Sequence, residues 1–249
     1  MLDIGKVTNE YYSQFLGIDE IVLNNRVNTV FYKERDIILK GYSYSMDICV
    51  LVIDETIYIS YGTKAKDIIG ELTAQLQNKK DAEEVKNTLE KISGSKVKHS
   101  IKYIYKNIVD TKSGAVKLDK DHYHLFLKFF KENNPDVKDC SWLEEYFLEL
   151  AKKGFCYGVI IDGKLVSAAD APSMPYMAES VQEIGIYTLK DYQGRGYASM
   201  ACAAMIKYLL SKNICPLWSV DIKNIASDRL AVKTGFEKYC DVLTVDIKV

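Results

Sequence analysis

The feature that most constrains the fold is a strand, a glycine turn and an apolar helix in direct succession. Val181–Leu189 has the composition of a strand, Gly194 and Gly196 mark the turn, and a helix runs from Ser199 to about Leu210. Nearly every residue of that helix is apolar, and a helix that is apolar on all sides is a buried one. The sequence therefore predicts an α/β fold in which this helix packs against a sheet.

The same turn predicts a binding site for phosphate. The start of a helix has unpaired backbone N–H groups and the positive end of the helix dipole, which together attract anions. Glycines allow the close approach of a diphosphate because they have no Cβ atom, and Arg195 and Ser199 add a charge and a hydroxyl. A glycine turn with a purely structural role remains the alternative.

A dinucleotide-binding fold is a further alternative, and the sequence fits it poorly. Ser199 stands where the glycine-rich fingerprint needs Gly or Ala, although Asp221 lies near the expected place of a ribose-binding acid. Too few residues follow Asp221 for the further βαβ units of such a fold, which also normally begins with this turn. We therefore disfavour this fold.

The chain as a whole predicts two domains that meet near residue 110. Residues 1–110 are expected to form an N-terminal α+β domain of unknown role, and the boundary rests on a loop at Asp110–Gly114. Residues 111–249 form the second domain, with a hairpin around Asp162-Gly163, the strongest short-range hairpin signal. The elements predicted in the first domain are strands at 28–32, 36–42, 48–53 and 56–61 and helices at 63–78 and 81–92.

The composition excludes several classes of protein. Apolar residues make up 48% and charged residues 27% of the chain, which is typical of a globular protein. The formal net charge of −1 argues against a dedicated nucleic-acid-binding protein. We see no signal-peptide core and no apolar run of about 18 residues, so we expect no membrane partner. Six cysteines without a CxxC pair and three histidines form no zinc pattern, which favours free thiols in the cytoplasm.

Two motifs resemble the GNAT N-acyltransferase family. Gln193-x-x-Gly196-x-Ala198 matches the family's Q/R-x-x-G-x-G/A loop, and the segment 224–236 resembles its closing motif, an Asn-capped helix that ends in Gly-Phe. The resemblance covers about residues 112–249 and implies the family's α/β (α+β) fold with a mixed central sheet. The extended N-terminal half is similar to that of the zwittermicin A resistance-like subgroup.

The resemblance implies that acetyl-CoA, as cosubstrate, is bound by this turn and by the strand before it. Backbone groups of Ile186 and Thr188 would bond the pantetheine arm, and the Ile186 N–H would polarise the thioester carbonyl, an interaction worth about 3–4 kcal/mol. For Asn224, capping of its own helix is the alternative role. The residues implied to bind acetyl-CoA are Ile186, Tyr187, Thr188, Gln193, Gly194, Arg195, Gly196, Tyr197, Ala198, Ser199, Asn224 and Ser227.

An amine that attacks a thioester must lose a proton, and Glu183 is the candidate base. It lies close to where some relatives keep a basic glutamate on this strand, whereas an exposed strand residue without a role is the alternative. Glu179 and Asp170 are lesser candidates. His122 and His124 fall on a predicted helix and are expected at the surface.

The group that protonates the departing thiolate stays open. Many family members have a tyrosine seven residues after the motif asparagine, where this chain has Ala231. Tyr187, Tyr192 and Tyr197 lie nearby in the sequence and are not ranked. Water is a further alternative for this role.

The predicted function is transfer of an acetyl group from acetyl-CoA to a primary amine of a small molecule, by direct attack in a ternary complex. Two alternatives stay open: a catalytically weak acyl-CoA-binding or sensing module, suggested by Ala231, and a protein or peptide N-acetyltransferase. A covalent route through Cys156, Cys202 or Cys240 is disfavoured, because each lies in a pattern typical of a core. We expect no metal and no nucleic-acid partner, and a homodimer remains open.

Overall fold

The computed structural model describes residues 2–109 and 114–248, which form two sheets with helices on their faces. The described helices are α1 (Ile4–Leu16), α2 (Ile69–Leu76), α3 (Ala82–Ser93), α4 (Tyr123–Asn133), α5 (Leu143–Lys153), α6 (Tyr197–Ser211) and α7 (Ile225–Lys233). The described strands are β1 (Val27–Phe31), β2 (Ile48–Ile53), β3 (Thr56–Tyr61), β4 (Val97–Tyr105), β5 (Val116–Lys117), β6 (Cys156–Ile161), β7 (Lys164–Asp170), β8 (Val181–Glu183), β9 (Gly185–Thr188), β10 (Cys215–Asp221) and β11 (Phe236–Val245). The predicted α/β class is confirmed.

The larger sheet has seven strands in the order β1-β3-β2-β11-β4-β10-β8. It is mixed, because β1 runs parallel to β3 and β8 parallel to β10, while its other neighbours are antiparallel. The smaller sheet, in the order β5-β6-β7-β9, is antiparallel throughout. The mixed central sheet implied by the family resemblance is therefore present.

One stretch of chain belongs to both sheets. β8 pairs with β10 in the larger sheet, and the Ile184 N–H donates to the Leu217 carbonyl at 3.0 Å. From Gly185 onward, β9 pairs with β7 of the smaller sheet instead. The single strand predicted over Val181–Leu189 is therefore divided in two, and the edges of β9 and β10 part from each other at this point.

Strands from both predicted domains are interleaved in the larger sheet. β11, near the end of the chain, lies between β2 and β4, and β4 in turn lies between β11 and β10. The two parts therefore share one sheet, which two separately folded domains would not do. The boundary loop at Asp110–Gly114 lies outside the described residues except for Gly114.

The N-terminal half also differs from its predicted elements. α1 and β4 have no counterpart among those elements, and the strand expected at 36–42 is wrong. A short 3₁₀ turn precedes that segment, and in it the Arg35 side chain points inward and is only 1% exposed. Arg35 donates to Ser60 Oγ at 3.0 Å and to the Phe15 carbonyl. These tertiary hydrogen bonds override the local strand pattern.

Apolar clusters hold the helices against both faces of the larger sheet. The cluster under α1 includes Leu51 and Leu217, while the adjacent Val50 packs with α2 and α3, and the adjacent Trp218 packs with α6 and α7. Because neighbouring residues of a strand face opposite sides, α1 covers one face and α2, α3, α6 and α7 cover the opposite face, while α4 and α5 pack against β7 and β6 of the smaller sheet. None of the described helices combines the length and the apolar composition that crossing a membrane requires.

We expect residues 111–249 not to fold when expressed alone. In that fragment β11 loses both of its neighbours, β2 and β4, and the exposed backbone groups cost free energy. Circular dichroism with thermal unfolding should show no cooperative transition for the fragment. Co-expression with residues 1–109 should restore one. A fragment 111–249 that unfolds cooperatively by itself would instead establish the self-sufficient domain predicted from the sequence.

Candidate active site

The turn between β9 and α6 presents backbone amides to open space. Gly194 and Gly196 have φ angles of 75° and 85°, in the left-handed region that favours glycine, and a Cβ on either would meet no atom within 4 Å. No described side chain caps α6, and the first backbone hydrogen bond across its start runs from the Met200 N–H to the Gly196 carbonyl. The N–H groups of residues 197–199 are thus available at the positive end of the helix dipole.

A cleft of about 460 Å³ opens in front of these amides. It is bounded by the turn, β9 and the start of α7, so the three predicted parts of the cofactor site lie together. Of the residues implied to bind acetyl-CoA, those that line the cleft are Ile186, Thr188, Gln193, Gly194, Gly196, Tyr197, Ala198, Ser199, Asn224 and Ser227. Lining residues outside that set are Tyr192, Ala226, Arg229, Leu230 and Lys233.

Two residues of the implied set, Tyr187 and Arg195, are not brought into the cleft. The Tyr187 side chain is 61% exposed and lines a separate pocket on the other face of β9. Arg195 is exposed at the tip of the turn, with its guanidinium carbon 5.3 Å from the centroid of the Tyr192 ring. Only the backbone of these two residues belongs to the strand and turn that form the cleft.

β9 has one edge that faces the cleft. Its other edge pairs with β7, and the Leu189 N–H continues this pairing with a bond of 2.9 Å to the Val166 carbonyl. Because backbone groups alternate in direction along a strand, those of Ile186 and Thr188 point away from β7. The described part of the larger sheet does not pair with them, since the last hydrogen bond from this stretch to β10 is the one from the Ile184 N–H.

The side chain of Gln193 connects the turn to this strand. Its Nε2 donates to the Thr188 carbonyl at 3.3 Å, and the Thr188 hydroxyl lies 2.8 Å from Ser167 Oγ. The first residue of the loop motif therefore orients the turn relative to β9. The spacing of the motif alone does not indicate this role.

The start of α7 forms the opposite wall of the cleft. Asn224 caps the helix, since its Oδ1 accepts from the Ser227 N–H at 3.2 Å, and the Ser227 hydroxyl accepts from the Trp218 indole at 3.1 Å. The capping role considered for Asn224 is therefore observed, and Asn224 also lines the cleft. Arg229 and Lys233, one helical turn apart, add two positive charges to the same wall.

Glu183 lies in a different pocket, on the face of the larger sheet that α1 covers. This pocket of about 290 Å³ is walled by α1, by part of residues 40–46 and by residues 172–175. Its floor includes Glu183 of β8, Ser219 of β10 and Lys102 of β4, three neighbouring strands. Glu183 is the last residue of β8, directly before the point where β9 and β10 part. The pocket therefore approaches that point from the face of the sheet opposite to the cleft.

A buried lysine is the central charge of this pocket. Lys102 is only 7% exposed, and its Nζ donates to Ser219 Oγ at 2.6 Å and lies 3.7 Å from a carboxylate oxygen of Glu183. Burial alone would lower the pKa of Lys102, but the negative charge of the Glu183 carboxylate raises it above its usual value. The side chain therefore stays cationic.

Tyrosines from the N-terminal half surround this cation. Tyr11 of α1 lines the pocket together with Tyr42 and Tyr44. Burial raises the pKa of Tyr42 to about 12 and that of Tyr11 well above its usual value. Both phenols therefore stay protonated at neutral pH, so each keeps a hydroxyl hydrogen that it can donate. None of these residues was among the sequence candidates.

The lesser base candidates lie elsewhere. Asp170 lines an aromatic pocket of about 320 Å³ beside Tyr187, where its carboxylate accepts from the Tyr146 hydroxyl at 2.9 Å. Burial raises the pKa of Asp170 above its usual value. Glu179 is exposed and lines a further pocket that does not include Glu183. The structure therefore does not bring these carboxylates together.

His122 and His124 lie at the surface, as expected, whereas the third histidine, His99, is buried with its Nε2 2.8 Å from a carboxylate oxygen of Asp241. His124 is exposed, and His122 is partly exposed with its Nδ1 2.7 Å from a carboxylate oxygen of Asp119. Both stand at the start of α4, outside the residues that line the cleft and the Glu183 pocket. They make no contribution to either site.

The cysteines considered for a covalent route lie in the core. Cys156, Cys202 and Cys240 are buried, and burial raises the pKa of all three thiols. A buried, protonated thiol is a poor nucleophile. Across residues 2–109 and 114–248, no group of three or more His, Cys, Asp or Glu side chains is placed to hold a metal ion.

Comparison with known proteins gives relatives of one kind. The uncharacterized N-acetyltransferase YdfB of Bacillus subtilis (strain 168) is 32% identical over 100 residues, which are 39% of this chain and 37% of that protein. An acetyltransferase of the GNAT family from Colwellia psychrerythraea has a similar fold, with a TM-score of 0.54 at 17% identity over 65% of this chain and 62% of that chain. A putative acetyltransferase of the GNAT family from Novosphingobium aromaticivorans DSM 12444 has a TM-score of 0.47 at 23% identity, over 60% of this chain and 64% of that chain.

The chain spans little more than a third of its curated relative and less than two thirds of these solved structures. The match to a family model is far more extensive, since the model described as GNAT acetyltransferase matches residues 46–241. That range includes β9, the glycine turn, α6 and α7, and also β2 to β4 of the N-terminal half. The chain therefore belongs to the GNAT acetyltransferase family.

Proposed function

We propose that this protein is an N-acetyltransferase that moves an acetyl group from acetyl-CoA to a primary amine of a small molecule. The observation that carries the proposal is the uncapped start of α6, which faces a cleft next to an unpaired strand edge. Membership of the GNAT acetyltransferase family supports the same activity. The cleft and the Glu183 pocket then serve the two substrates.

The cleft suits the diphosphate and the pantetheine arm of acetyl-CoA. The amides of residues 194–199 supply donors for the diphosphate, and the absence of Cβ atoms at Gly194 and Gly196 leaves room for it. The free edge of β9 offers alternating donors and acceptors to the amides of the pantetheine arm, as an added strand would need. Arg229 and Lys233 supply positive charge for a further phosphate group.

Acetyl-CoA supplies an acetyl group that is activated as a thioester. Within this chain, we assign the Ile186 N–H as the hydrogen-bond donor to the thioester carbonyl. It lies on the free edge of β9, close to the point where β9 and β10 part. A backbone donor held by a strand is already oriented, so it stabilises developing negative charge without reorganisation.

Glu183 is the residue we assign to receive the proton of the acceptor amine. Its carboxylate lines the pocket that reaches the same point from the other face of the sheet. Lys102, at 3.7 Å, restricts the orientation of this carboxylate. Amine and thioester thus approach from opposite faces, an arrangement that suits direct attack in one ternary complex. The buried thiols support the same choice over a covalent route.

A small molecule is the acceptor that fits best, because the N-terminal half covers the pocket. Tyr11 and Phe15 of α1, residues 40–46 and residues 172–175 all contribute to its walls. A peptide substrate needs a groove through which the chain can pass on both sides of the reacting residue. The enclosing segments therefore disfavour the protein acetyltransferase alternative.

An acyl-CoA-binding module without turnover is the second candidate. Ala231 favours it, because the position at which many relatives carry a tyrosine is fully buried here and has no hydroxyl. Tyr192 and Tyr197 line the cleft, and their phenolic hydroxyl groups are the candidates for protonation of the thiolate. Release of free thiol from acetyl-CoA with any amine separates the enzyme from the binding module.

Replacement of Gly196 by Val should weaken CoA binding by roughly 10- to 100-fold, since hydrogen bonds to a charged diphosphate would be lost. Gly163→Val is a matched control, because Gly163 also has a positive φ, of 75°, and open space around its Cβ, but lies in a hairpin turn away from the cleft. Isothermal titration calorimetry should show the loss for Gly196→Val alone. Equal losses in the two variants would remove the phosphate-binding role of this turn.

Replacement of Glu183 by Gln should lower kcat by roughly 10²- to 10⁴-fold if the carboxylate accepts the proton of the amine. Glu179→Gln is the control, because Glu179 is exposed and outside the Glu183 pocket. Steady-state kinetics at saturating acetyl-CoA measure kcat for both variants. A change of less than threefold for Glu183→Gln would reassign this residue, and a large loss for Asp170→Asn in the same assay would place the base in the aromatic pocket.

A further inference from the structure

The buried cation of the Glu183 pocket has a consequence for the acceptor. We infer that Lys102 and Lys98 bind an anionic group of the acceptor, so that the enzyme acts on amino carboxylates, amines that also carry a carboxylate. This inference rests on the proposed function and specifies the class of its acceptor. It is carried by the hydrogen bonds and charges that line the pocket.

Lys102 has hydrogen-bonding capacity that its recorded contacts do not use. An ammonium group has three donor hydrogens, and one is bonded to Ser219 Oγ at 2.6 Å. The nearest carboxylate oxygen, on Glu183, is 3.7 Å away, which is beyond the range of a direct hydrogen bond. Donors of a nearly buried cation thus remain for a ligand in the pocket.

A second cation, Lys98, lies on the same strand and the same face. Its Nζ is 2.9 Å from the centroid of the Tyr44 ring, and within the described ranges no carboxylate lies close enough to form an ion pair with it. It is exposed at the pocket, whereas Lys102 is buried in the floor. Together with the phenols of Tyr11 and Tyr42, the two lysines surround the pocket with donors.

The charges of the pocket favour a zwitterion over a simple amine. Its lining carries three lysines, Lys40, Lys98 and Lys102, against two carboxylates, Glu183 and Asp221. A protonated amine without an anionic group would add to an excess of positive charge. An amino carboxylate is neutral overall. Its carboxylate would lie at the lysines and its ammonium at Glu183, next to the point where β9 and β10 part.

A purely positioning role for Lys102 makes a different prediction. If Lys102 acted only by orienting Glu183, its removal would slow every acceptor by the same factor. If it binds a carboxylate, its removal would slow the acids and narrow the difference between each acid and its neutral counterpart. The ratio of kcat/KM for an acid to kcat/KM for its neutral counterpart, measured in one variant, therefore distinguishes a positioning role of Lys102 from a carboxylate-binding role.

The experiment compares free amino acids with their C-terminal amides as acceptors, with thiol release from acetyl-CoA as the readout. In the wild type, kcat/KM for the best acid should exceed that of its amide by roughly 10- to 100-fold. In Lys102→Met that ratio should fall close to one. Lys98→Met, at an exposed position, should reduce it partially without affecting folding. Lys86→Met, on the surface of α3, is the control that keeps the ratio.

Equal rates for acids and amides in the wild type would overturn the inference, as would an unchanged ratio in Lys102→Met. O-phosphoethanolamine tests whether a phosphate replaces the carboxylate, and a rate above that of every amino acid would overturn the carboxylate assignment.

If no amine releases thiol from acetyl-CoA, the proposed function fails. Titration with 3-phenylpropanoate and 3-phenylpropanamide then tests the anion site alone: tighter binding of the acid, lost in Lys102→Met, supports it, and equal binding refutes it.

Discussion

The transfer of one strand between two sheets is the constraint on which the rest of the structure depends. The Ile184 N–H makes the last bond to β10, and at Gly185 the chain already pairs with β7. A Cβ at Gly185 would clash with a carboxylate oxygen of Asp170, so a larger residue at this position would have to displace that side chain. Unpaired backbone groups cost free energy when they are removed from water without a partner. A ligand that pairs with the edge of β9 in the cleft would keep its backbone groups hydrogen-bonded when water is displaced.

The N-terminal half completes the larger sheet. Lys102 of β4 lies directly across from Ser219 of β10. Without β4, Ser219 would lose this neighbour and the floor of the Glu183 pocket would lose its cation. α1 and residues 40–44 lie before the matched family region of 46–241, yet they supply the tyrosines that enclose the pocket. The family motifs thus account for the cleft beside the glycine turn, whereas parts of the chain outside those motifs enclose the Glu183 pocket, which we propose binds the acceptor.

Local patterns could be read from the sequence because their physical cause is local. Asp162-Gly163 forms the hairpin turn with both residues at positive φ, Gly194 and Gly196 form the open turn, and Asn224 caps α7. By contrast, β4 lies between strands that are distant in sequence, and no local signal indicates that Lys102 meets Ser219, 117 residues further on. A lysine on a strand is usually exposed. The cleft beside the glycine turn could therefore be largely predicted, and the Glu183 pocket could not.

The burial of Lys102 is difficult to explain by stability. Removing an ammonium group from water costs several kcal/mol, and an ion pair at 3.7 Å with a partly exposed carboxylate recovers only part of that cost. A methionine has a similar length and would occupy the same volume without the loss of hydration. The fold thus has no need of the charge. A cation that is unfavourable for folding, sits among neutral donors and borders a cavity is better explained by what enters the cavity than by the protein around it.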